Sequence, residues 1–350
     1  MGKKLLAVPG ALALLVLPYA LPDEWSWLVL LTNRALILAI AAIGLNLLTG
    51  FAGQISIGHA AFMAIGAFAS YGLTAKVGIP FWGALPLAGL ISAAVGYALG
   101  FPALRLQGHY LAIATLGFGV AVPQILNLWK GLSGGWTGVK PAAPYLYGLY
   151  FKEDRPYYYL ILIALALLTW VALNIARRRT GRAFIALRDS SVAAQAMGIS
   201  LARYKTTAFA LSAFYAGIAG SLWAHMMNYI APHDFNLALS MELFTIIVLG
   251  GLASVPGSIV GALFMSLMPK AVERISLALQ RSGAFDHSPF LMNVFKNLNQ
   301  VLTGVILVLV VLYLPLGLVD LWRSCSTGGP GAGTPPPGGW SRWPCWSSGR

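Results

Sequence analysis

Small and polar residues interrupt a long apolar run between Leu45 and Phe62. The stretch has the sequence LNLLTGFAGQISIGHAAF, in which three glycines stand among polar side chains. Glycine lets a helix break and lets two backbones approach closely, and a broken helix exposes amide dipoles that hold a carboxylate or an ammonium group. The pattern predicts either the lining of a translocation path or tight helix packing around a short cytoplasmic turn. The candidates for lining a path are Asn46, Gly50, Gly53, Gln54, Ser56 and His59.

Asn46 also has an interpretation of its own, because a polar amide inside an apolar run is typical of a hydrogen bond between two helices. A second Gly-rich break, GGLASVPGSIVGALF near 250–264, is similar in kind to the one around Gly50. Transporters often contain paired halves with substrate sites at broken helices. The two breaks are therefore candidates for one repeated element.

A second informative stretch, 177–205, combines positive charge with a short amphipathic helix. Its sequence is RRRTGRAFIALRDSSVAAQAMGISLARYK, with seven of the chain's 23 basic residues. The pattern predicts a helix over 189–198 that Asp189 or Ser190 caps and Gly198 ends. Such a helix either docks in a groove of a partner protein or lies on lipid headgroups. The residues that supply its small apolar contacts are Val192, Ala193, Ala196 and Met197.

Several other glycines have the spacing of helix-packing surfaces. Small residues dominate SAFYAGIAGSL at 212–222, and the pairs Gly96/Gly100 and Gly257/Gly261 fit the G-x-x-x-G pattern. Small side chains let two membrane helices come close together. We expect these faces to pack against neighbouring helices.

The sequence lacks the groups that would drive transport or catalysis within this chain. Proton-coupled transporters hold acids or histidines near the bilayer midplane, whereas Arg34 and Glu242 are expected near outer helix ends and His59 and His109 near inner ends. No phosphate-binding loop, zinc-protease motif, serine-hydrolase motif or pair of carboxylates on one helix face occurs. We therefore predict no catalytic residue, no metal site and no cofactor, with energy supplied from elsewhere.

The elements that position these residues must be membrane-spanning helices. Hydrophobic residues make up 58% of the 350 and charged residues only 9%, against about 25% charged in soluble domains. We predict an all-α polytopic membrane protein with about ten helices that span the bilayer fully or partly. The eighth segment is too short for an ordinary crossing and is expected to be broken or re-entrant. The expected segments are 5–21, 28–49, 57–76, 83–103, 109–128, 158–176, 206–227, 240–253, 257–277 and 300–320.

The basic residues predict the orientation of these helices. Cytoplasmic loops carry an excess of Lys and Arg, so we place 177–205 in the cytoplasm together with both termini, and the 129–157 loop outside. That loop is either a solvated connector or a landing surface for a soluble partner. The net charge is +13. Because the basic residues lie mostly between apolar segments, where they orient helices, this charge does not indicate nucleic-acid binding.

The end of the chain has a different composition. Residues 324–350 contain 12 Gly or Pro among 27 positions and both cysteines, Cys325 and Cys345. Such a segment builds no packed core and is expected to be disordered. The prediction is a membrane body over 1–323 and a tail without assigned function over 324–350.

Five stretches, in this order, resemble the branched-chain amino acid ABC transporter permeases of the LivM type. The resemblance covers residues 28–322 and implies a permease domain over 1–323, located in the cytoplasmic (inner) membrane. The matching stretches are GLNLLTGFAGQISIGHAAFMAIGAF, LRLQGHYLAIATLGF, GGWTG, GRAFIALRDSSVAAQAMGI with FALSAFYAGIAGSL, and LGGLASVPGSIVGA.

The resemblance implies partners that supply what this chain lacks. They are a second homologous permease, two ATP-binding subunits on the cytoplasmic side and an extracytoplasmic substrate-binding protein, besides membrane lipid. The family's coupling motif matches at A-A-x-x-x-G, although Val192 stands where the general motif has Glu. The residues assigned to coupling by this resemblance are Arg188, Asp189, Val192, Ala193, Ala194 and Gly198.

Other functions remain open from the sequence. The same architecture could carry urea or an amide, since a separate binding protein largely sets the choice of substrate. A stand-alone secondary transporter or channel would work without ATPase partners. An integral membrane enzyme would need a catalytic constellation that the sequence lacks.

Overall fold

The computed structural model describes residues 26–281, except positions 105, 107, 143, 147, 148 and 151–153, together with residues 304 and 308. The first expected span, 5–21, both termini and the 324–350 tail lie outside the described residues. So does the tenth expected span, 300–320, apart from residues 304 and 308. The helices are α1 (Ser26–Asn46), α2 (His59–Ala75), α3 (Phe81–Ala103), α4 (His109–Leu128), α5 (Lys130–Ser133), α6 (Asp154–Arg177), α7 (Arg179–Asp189), α8 (Ser191–Ala196), α9 (Leu201–Met227), α10 (Leu237–Gly250) and α11 (Val255–Arg281).

Short irregular elements complete the described part. A π-helical turn, Leu47–Phe51, follows α1 directly, and 3-10 turns occupy Gly135–Thr137 and Pro232–Asp234. Two strands of two residues each, β1 (Tyr145–Leu146) and β2 (Leu149–Tyr150), pair antiparallel. The architecture is thus helical, as the sequence predicted.

Seven helical stretches in the described part are long and apolar enough to cross a membrane. They match seven of the expected segments and confirm a polytopic membrane protein. The expected segment 57–76 corresponds to α2, whose 17 residues extend about 26 Å, slightly less than a hydrocarbon core of about 30 Å.

The segment expected to be too short for a crossing is longer in the structure. Helix α10 begins at Leu237, and with the preceding 3-10 turn the apolar span covers 19 residues from Pro232 to Gly250. The expected break is present, because the chain turns at 251–254 before α11 begins and packs back on α10. Gly251 and Ala253 have positive φ values of 108° and 58° in this turn.

Helix α1 lies at the centre of the bundle. Its residues from 35 to 46, and all five residues of the π-helical turn, are buried. A helix that is apolar on every side is suited to such an enclosed position. Its main neighbours are α6, α9, α10 and α11.

Small residues allow the close packing around this centre. Helix α9 packs most extensively on α3 and α2, and a methyl group at Gly66 would lie 2.2 Å from the carbonyl oxygen of Gly217. A methyl at Gly220 would lie 1.9 Å from the Met63 carbonyl oxygen. These approaches, together with those at the two G-x-x-x-G pairs, confirm the predicted packing faces.

The first part of the 129–157 loop is fastened to the helices. Val139 and Ile230 exchange two backbone hydrogen bonds of 2.9 and 3.0 Å. His225 Nδ1 lies 2.7 Å from the Ala142 carbonyl oxygen, and its Nε2 lies 3.0 Å from Ser70 Oγ. The loop therefore has a fixed course over one end of the bundle, at least as far as residue 142.

Candidate functional site

The Gly-rich stretch after Leu45 forms a break between α1 and α2. The π-helical turn is closed by a hydrogen bond from Ala52 N–H to the Leu47 carbonyl, and Gly53 then turns the chain with a φ of 67°. Gln54 N–H donates to the Leu48 carbonyl at 3.1 Å, while Thr49 Oγ1 donates to the Gln54 carbonyl at 3.0 Å. Residues 53–58 are non-helical, and α2 begins at His59.

Asn46 connects this first break to the second one. Its Nδ2 donates to the Ser254 carbonyl at 3.0 Å and to Ser258 Oγ at 2.9 Å. Its Oδ1 accepts from Ala253 N–H at 2.8 Å. This buried amide thus pairs with backbone groups of the turn between α10 and α11 and with a side chain of α11. These bonds confirm the interpretation of Asn46 as a hydrogen-bond partner between helices.

Gly50 is the point at which the segments meet. A methyl group there would lie 1.9 Å from Asn46 Oδ1 and 2.4 Å from Ala253 N, so only glycine fits without displacement of its neighbours. The Gly50 carbonyl accepts a hydrogen bond of 3.0 Å from Arg188 Nη1. Arg188 was expected at the coupling site and Gly50 on the translocation path, and this hydrogen bond brings the two candidate sites into contact.

The remaining path candidates lie nearby but mostly face the interior. His59 is fully buried with Nε2 at 3.2 Å from the Ala41 carbonyl oxygen. Its Nδ1 and the buried Ser56 Oγ have no hydrogen-bond partner among the described residues. Gln54 is half-buried, and its Nε2 donates to the Ala52 carbonyl at 3.3 Å. In this conformation these side chains pack within the chain.

Contacts from other helices hold the second half of this break. Ile57 N–H donates to Thr115 Oγ1, and Ala60 N–H donates to Ser240 Oγ, both at 3.1 Å. A methyl group at Gly58 would lie 1.9 Å from the Thr115 carbonyl oxygen. Helices α4 and α10 thus fix where α2 starts.

Residues 179–200 consist of α7, α8 and the turn that follows, and we call them the docking segment after the role expected from the sequence. Ser190 caps α8, since its Oγ accepts from Ala193 N–H at 3.2 Å. Asp189 instead ends α7. Gly198 has a φ of 81°, and Gly198 N–H closes the turn on the Gln195 carbonyl at 3.0 Å. The helix expected over 189–198 is therefore shorter, because its cap lies at Ser190 and its last turn is not α-helical.

The docking segment presents apolar side chains beyond the body of the protein. Val192 is 79% exposed and Met197 83% exposed. Ala193 is exposed and Ala194 buried. Exposed arginines lie within this segment or next to it in the sequence, and they are Arg177, Arg178, Arg179, Arg182 and Arg203.

A charged pair that the sequence did not predict joins α1 to α10. Arg34 Nη2 donates to both carboxylate oxygens of Glu242 at 3.1 Å, and its guanidinium lies 5.8 Å from the Trp223 ring centre. The two side chains are 40% and 21% exposed, and pairing lowers the cost of two charges in apolar helices.

The described residues offer no group of three or more His, Cys, Asp or Glu side chains that could hold a metal ion. Within them, two helix breaks contact each other through Asn46. The first break is also hydrogen-bonded to residues 179–200 through Arg188.

Comparisons with known proteins show the family to which the chain belongs. Residues 28–311 match a family described as branched-chain amino acid transport system, permease component. The chain is 34% identical over 337 residues to the high-affinity branched-chain amino acid transport system permease protein LivM of Salmonella typhimurium, with 89% of this chain and 75% of LivM covered. The corresponding LivM of Escherichia coli is 34% identical over 336 residues.

A second permease of the same system is also similar to this chain. LivH of Salmonella typhimurium is 26% identical over 299 residues, which cover 80% of this chain and 90% of LivH. No solved structure matches the chain.

Proposed function

Because this chain belongs to the family of branched-chain amino acid transport permeases, we propose that it is the membrane-spanning subunit of an ATP-driven importer for branched-chain or related small amino acids. The match over residues 28–311 carries this proposal. The chain is a transport subunit and not an enzyme. Its role is to open and close a path through the membrane.

ATP-binding subunits bind the docking segment. Supporting this, α8 presents Val192 and Met197 to solvent next to the Ala193, Ala194 and Gly198 of the coupling motif. A short helix with a small apolar face fits a groove on a partner. The sequence has no phosphate-binding loop, so ATP hydrolysis must occur in separate chains.

The arginines around the docking segment orient the protein. Positive residues concentrate on the cytoplasmic side of a membrane, so the docking segment faces the cytoplasm and the 129–157 loop faces outward. The membrane is the cytoplasmic (inner) one, and both termini are cytoplasmic.

Two further partners complete the importer. A second, homologous permease forms the other half of the path, which the similarity of this chain to both LivM and LivH supports. An extracytoplasmic binding protein delivers the amino acid at the outward face. The fixed first part of the 129–157 loop, with Trp129 and Trp136 exposed, offers that protein a surface.

The path candidates act through the break between α1 and α2. Asn46, Ser56 and His59 are buried. Gly53 is exposed, and Gln54, Ile55 and Ile57 are half-buried, so a solute could reach the chain at these positions in this conformation. We assign Asn46, Gly50, Ser56 and His59 to holding the break, and Gly53 and Gln54 to the path itself.

Reconstitution tests the proposed function. The chain is placed in liposomes with the second permease, the two ATP-binding subunits and the binding protein, and uptake of radiolabelled leucine is measured with and without ATP on the docking-segment side. We expect accumulation that requires ATP and every subunit. Concentrative uptake by this chain alone would support a secondary transporter instead, and uptake of urea or an amide but not leucine would correct the substrate.

A further inference from the structure

Arg188 is shared between the docking segment and the first helix break. Its Nη1 donates to the Gly50 carbonyl at 3.0 Å. Its Nη2 and Nε donate to Asp189 Oδ1 at 3.2 and 3.3 Å. One side chain thus reaches from the last turn of α7 to the π-helical turn, which lies 138 residues earlier in the chain.

The first break is shaped to receive this side chain. Gly53 lies against Arg188, and a methyl group at Gly53 would come within 2.8 Å of Arg188 Cγ and 3.1 Å of its Cα. The φ of 67° at Gly53 is one that other residues rarely adopt. A glycine is therefore required here both for the turn and for the approach of Arg188.

The Gly50 carbonyl oxygen is available to Arg188 because the helix is broken here. In a continuous α-helix the Gly50 carbonyl would accept from the N–H of residue 54. Here the Gln54 N–H donates to the Leu48 carbonyl instead. The π-helical turn thus frees a carbonyl oxygen for the guanidinium, and a hydrogen bond from a charged donor is stronger than a neutral one.

Gly50 also contacts the second break. The Gly50 backbone packs against Asn46 Oδ1 and the Ala253 nitrogen, and Asn46 fastens the 251–254 turn. A contiguous set of contacts therefore runs from Arg188 through Gly50 and Asn46 to Ala253.

We propose that Arg188 is a positioning residue that transmits movement of the docking segment to both helix breaks. The inference rests on the proposed function, since it presumes that ATP-binding subunits move this segment. When the segment shifts, the guanidinium pulls on the Gly50 carbonyl, and Gly50 cannot move without Asn46 and the 251–254 turn. Movement driven by ATP hydrolysis is thereby transmitted to the two helix breaks.

Arg188 is not needed to hold the docking segment on the protein. Other residues of α7 anchor it, because Phe184 and Leu187 are buried in the core and the Phe184 ring contacts the Tyr204 ring at 6.3 Å. Loss of Arg188 should therefore leave the segment folded and docked while it disconnects the break.

The test is Arg188→Ala in the complete importer. Three quantities are measured, namely the amount of ATP-binding subunit that co-purifies, the rate of ATP hydrolysis, and the number of ATP molecules hydrolysed per amino acid imported. We expect unchanged assembly, persistent hydrolysis, and a rise of about tenfold or more in ATP per amino acid, within the usual range of coupling between sites. Arg188→Lys keeps a charged donor and should restore part of the coupling.

Arg177→Ala is the matched control, since Arg177 is exposed at the end of α6, outside the docking segment, and its loss changes the charge equally. It should leave the ATP requirement near the wild-type value. Hydrogen exchange gives a second measurement: in Arg188→Ala the amides of 50–55 should exchange faster, while those of 35–45 stay protected.

The proposal is overturned if Arg188→Ala imports with the wild-type ATP requirement, or if uptake falls only in proportion to lost ATP-binding subunit. The second result would make Arg188 a part of the docking surface alone. Unchanged exchange at 50–55 would contradict the link itself. Failure of the wild-type complex to import with ATP would instead refute the proposed function.

Discussion

Replacement of Gly50 by alanine tests whether the two helix breaks are joined at this residue. A methyl group would lie 1.9 Å from Asn46 Oδ1 and 2.4 Å from the Ala253 nitrogen. Because one of these neighbours is backbone in a tight turn, it cannot rotate away. The methyl must either push the turn or displace the Asn46 amide.

The cost follows from those two responses. Overfilling a packed site costs about 1–3 kcal/mol, and a buried donor or acceptor left without its partner costs about 1–3 kcal/mol. If both occur, Gly50→Ala should lower the free energy of unfolding by about 2–6 kcal/mol. Asn46→Ala removes the clashing oxygen, so the double variant should lose less than the sum of the two single variants.

The assay is denaturant unfolding of the purified chain in detergent micelles, followed by tryptophan fluorescence. Gly117→Ala is the control, since Gly117 is a helical glycine of α4 at which an added methyl group would meet no neighbouring segment within 4 Å, and alanine there should stabilise the helix by up to about 1 kcal/mol. If Gly50→Ala unfolds at the wild-type denaturant concentration, or if the two single variants add fully with Asn46→Ala, the breaks are not joined as described.

Three other predictions concern separate parts of the chain. Gly198→Trp places a bulky residue at a φ of 81° beside the exposed face of α8, so it should abolish ATP-driven uptake while the amount of inserted protein, measured in isolated membranes, stays unchanged. Glu242→Gln removes the charge that Arg34 pairs with and should lower the free energy of unfolding by about 1–3 kcal/mol. A variant with the two residues exchanged should recover part of this loss. An unaltered denaturation curve for Glu242→Gln would show that the pair is not stabilising. Deletion of residues 326–350 should leave leucine uptake unaffected, and a large loss would assign the tail a role.

Local sequence signals predicted much of this fold. Apolar runs located the membrane helices, the glycines after Leu45 located the first break, and a serine followed by small residues and Gly198 located the docking helix within two or three positions. Each of these signals acts over one or two helical turns, which is the range over which periodicity and capping patterns operate.

The contacts that join these elements could not be found in this way. Arg34 and Glu242 are 208 residues apart, and Arg188 and Gly50 are 138 apart. Only the packing of whole helices brings such residues together, and an arginine in a basic stretch has no local mark that distinguishes it from its neighbours. Asn46 was only partly predictable. Its polarity in an apolar run predicted a hydrogen-bond partner on another helix, but not that this partner is the 251–254 turn.

The enclosure of α1 has a consequence for the biogenesis of the protein. This helix leaves the ribosome early, yet α9, α10 and α11, which form much of its surroundings, are translated 150 or more residues later. During synthesis it must therefore sit among lipid tails and afterwards exchange them for protein neighbours. Until then the Asn46 amide, at the end of that helix, lacks the hydrogen bonds that the 251–254 turn provides. Assembly of the bundle can therefore finish only after α11 has been inserted.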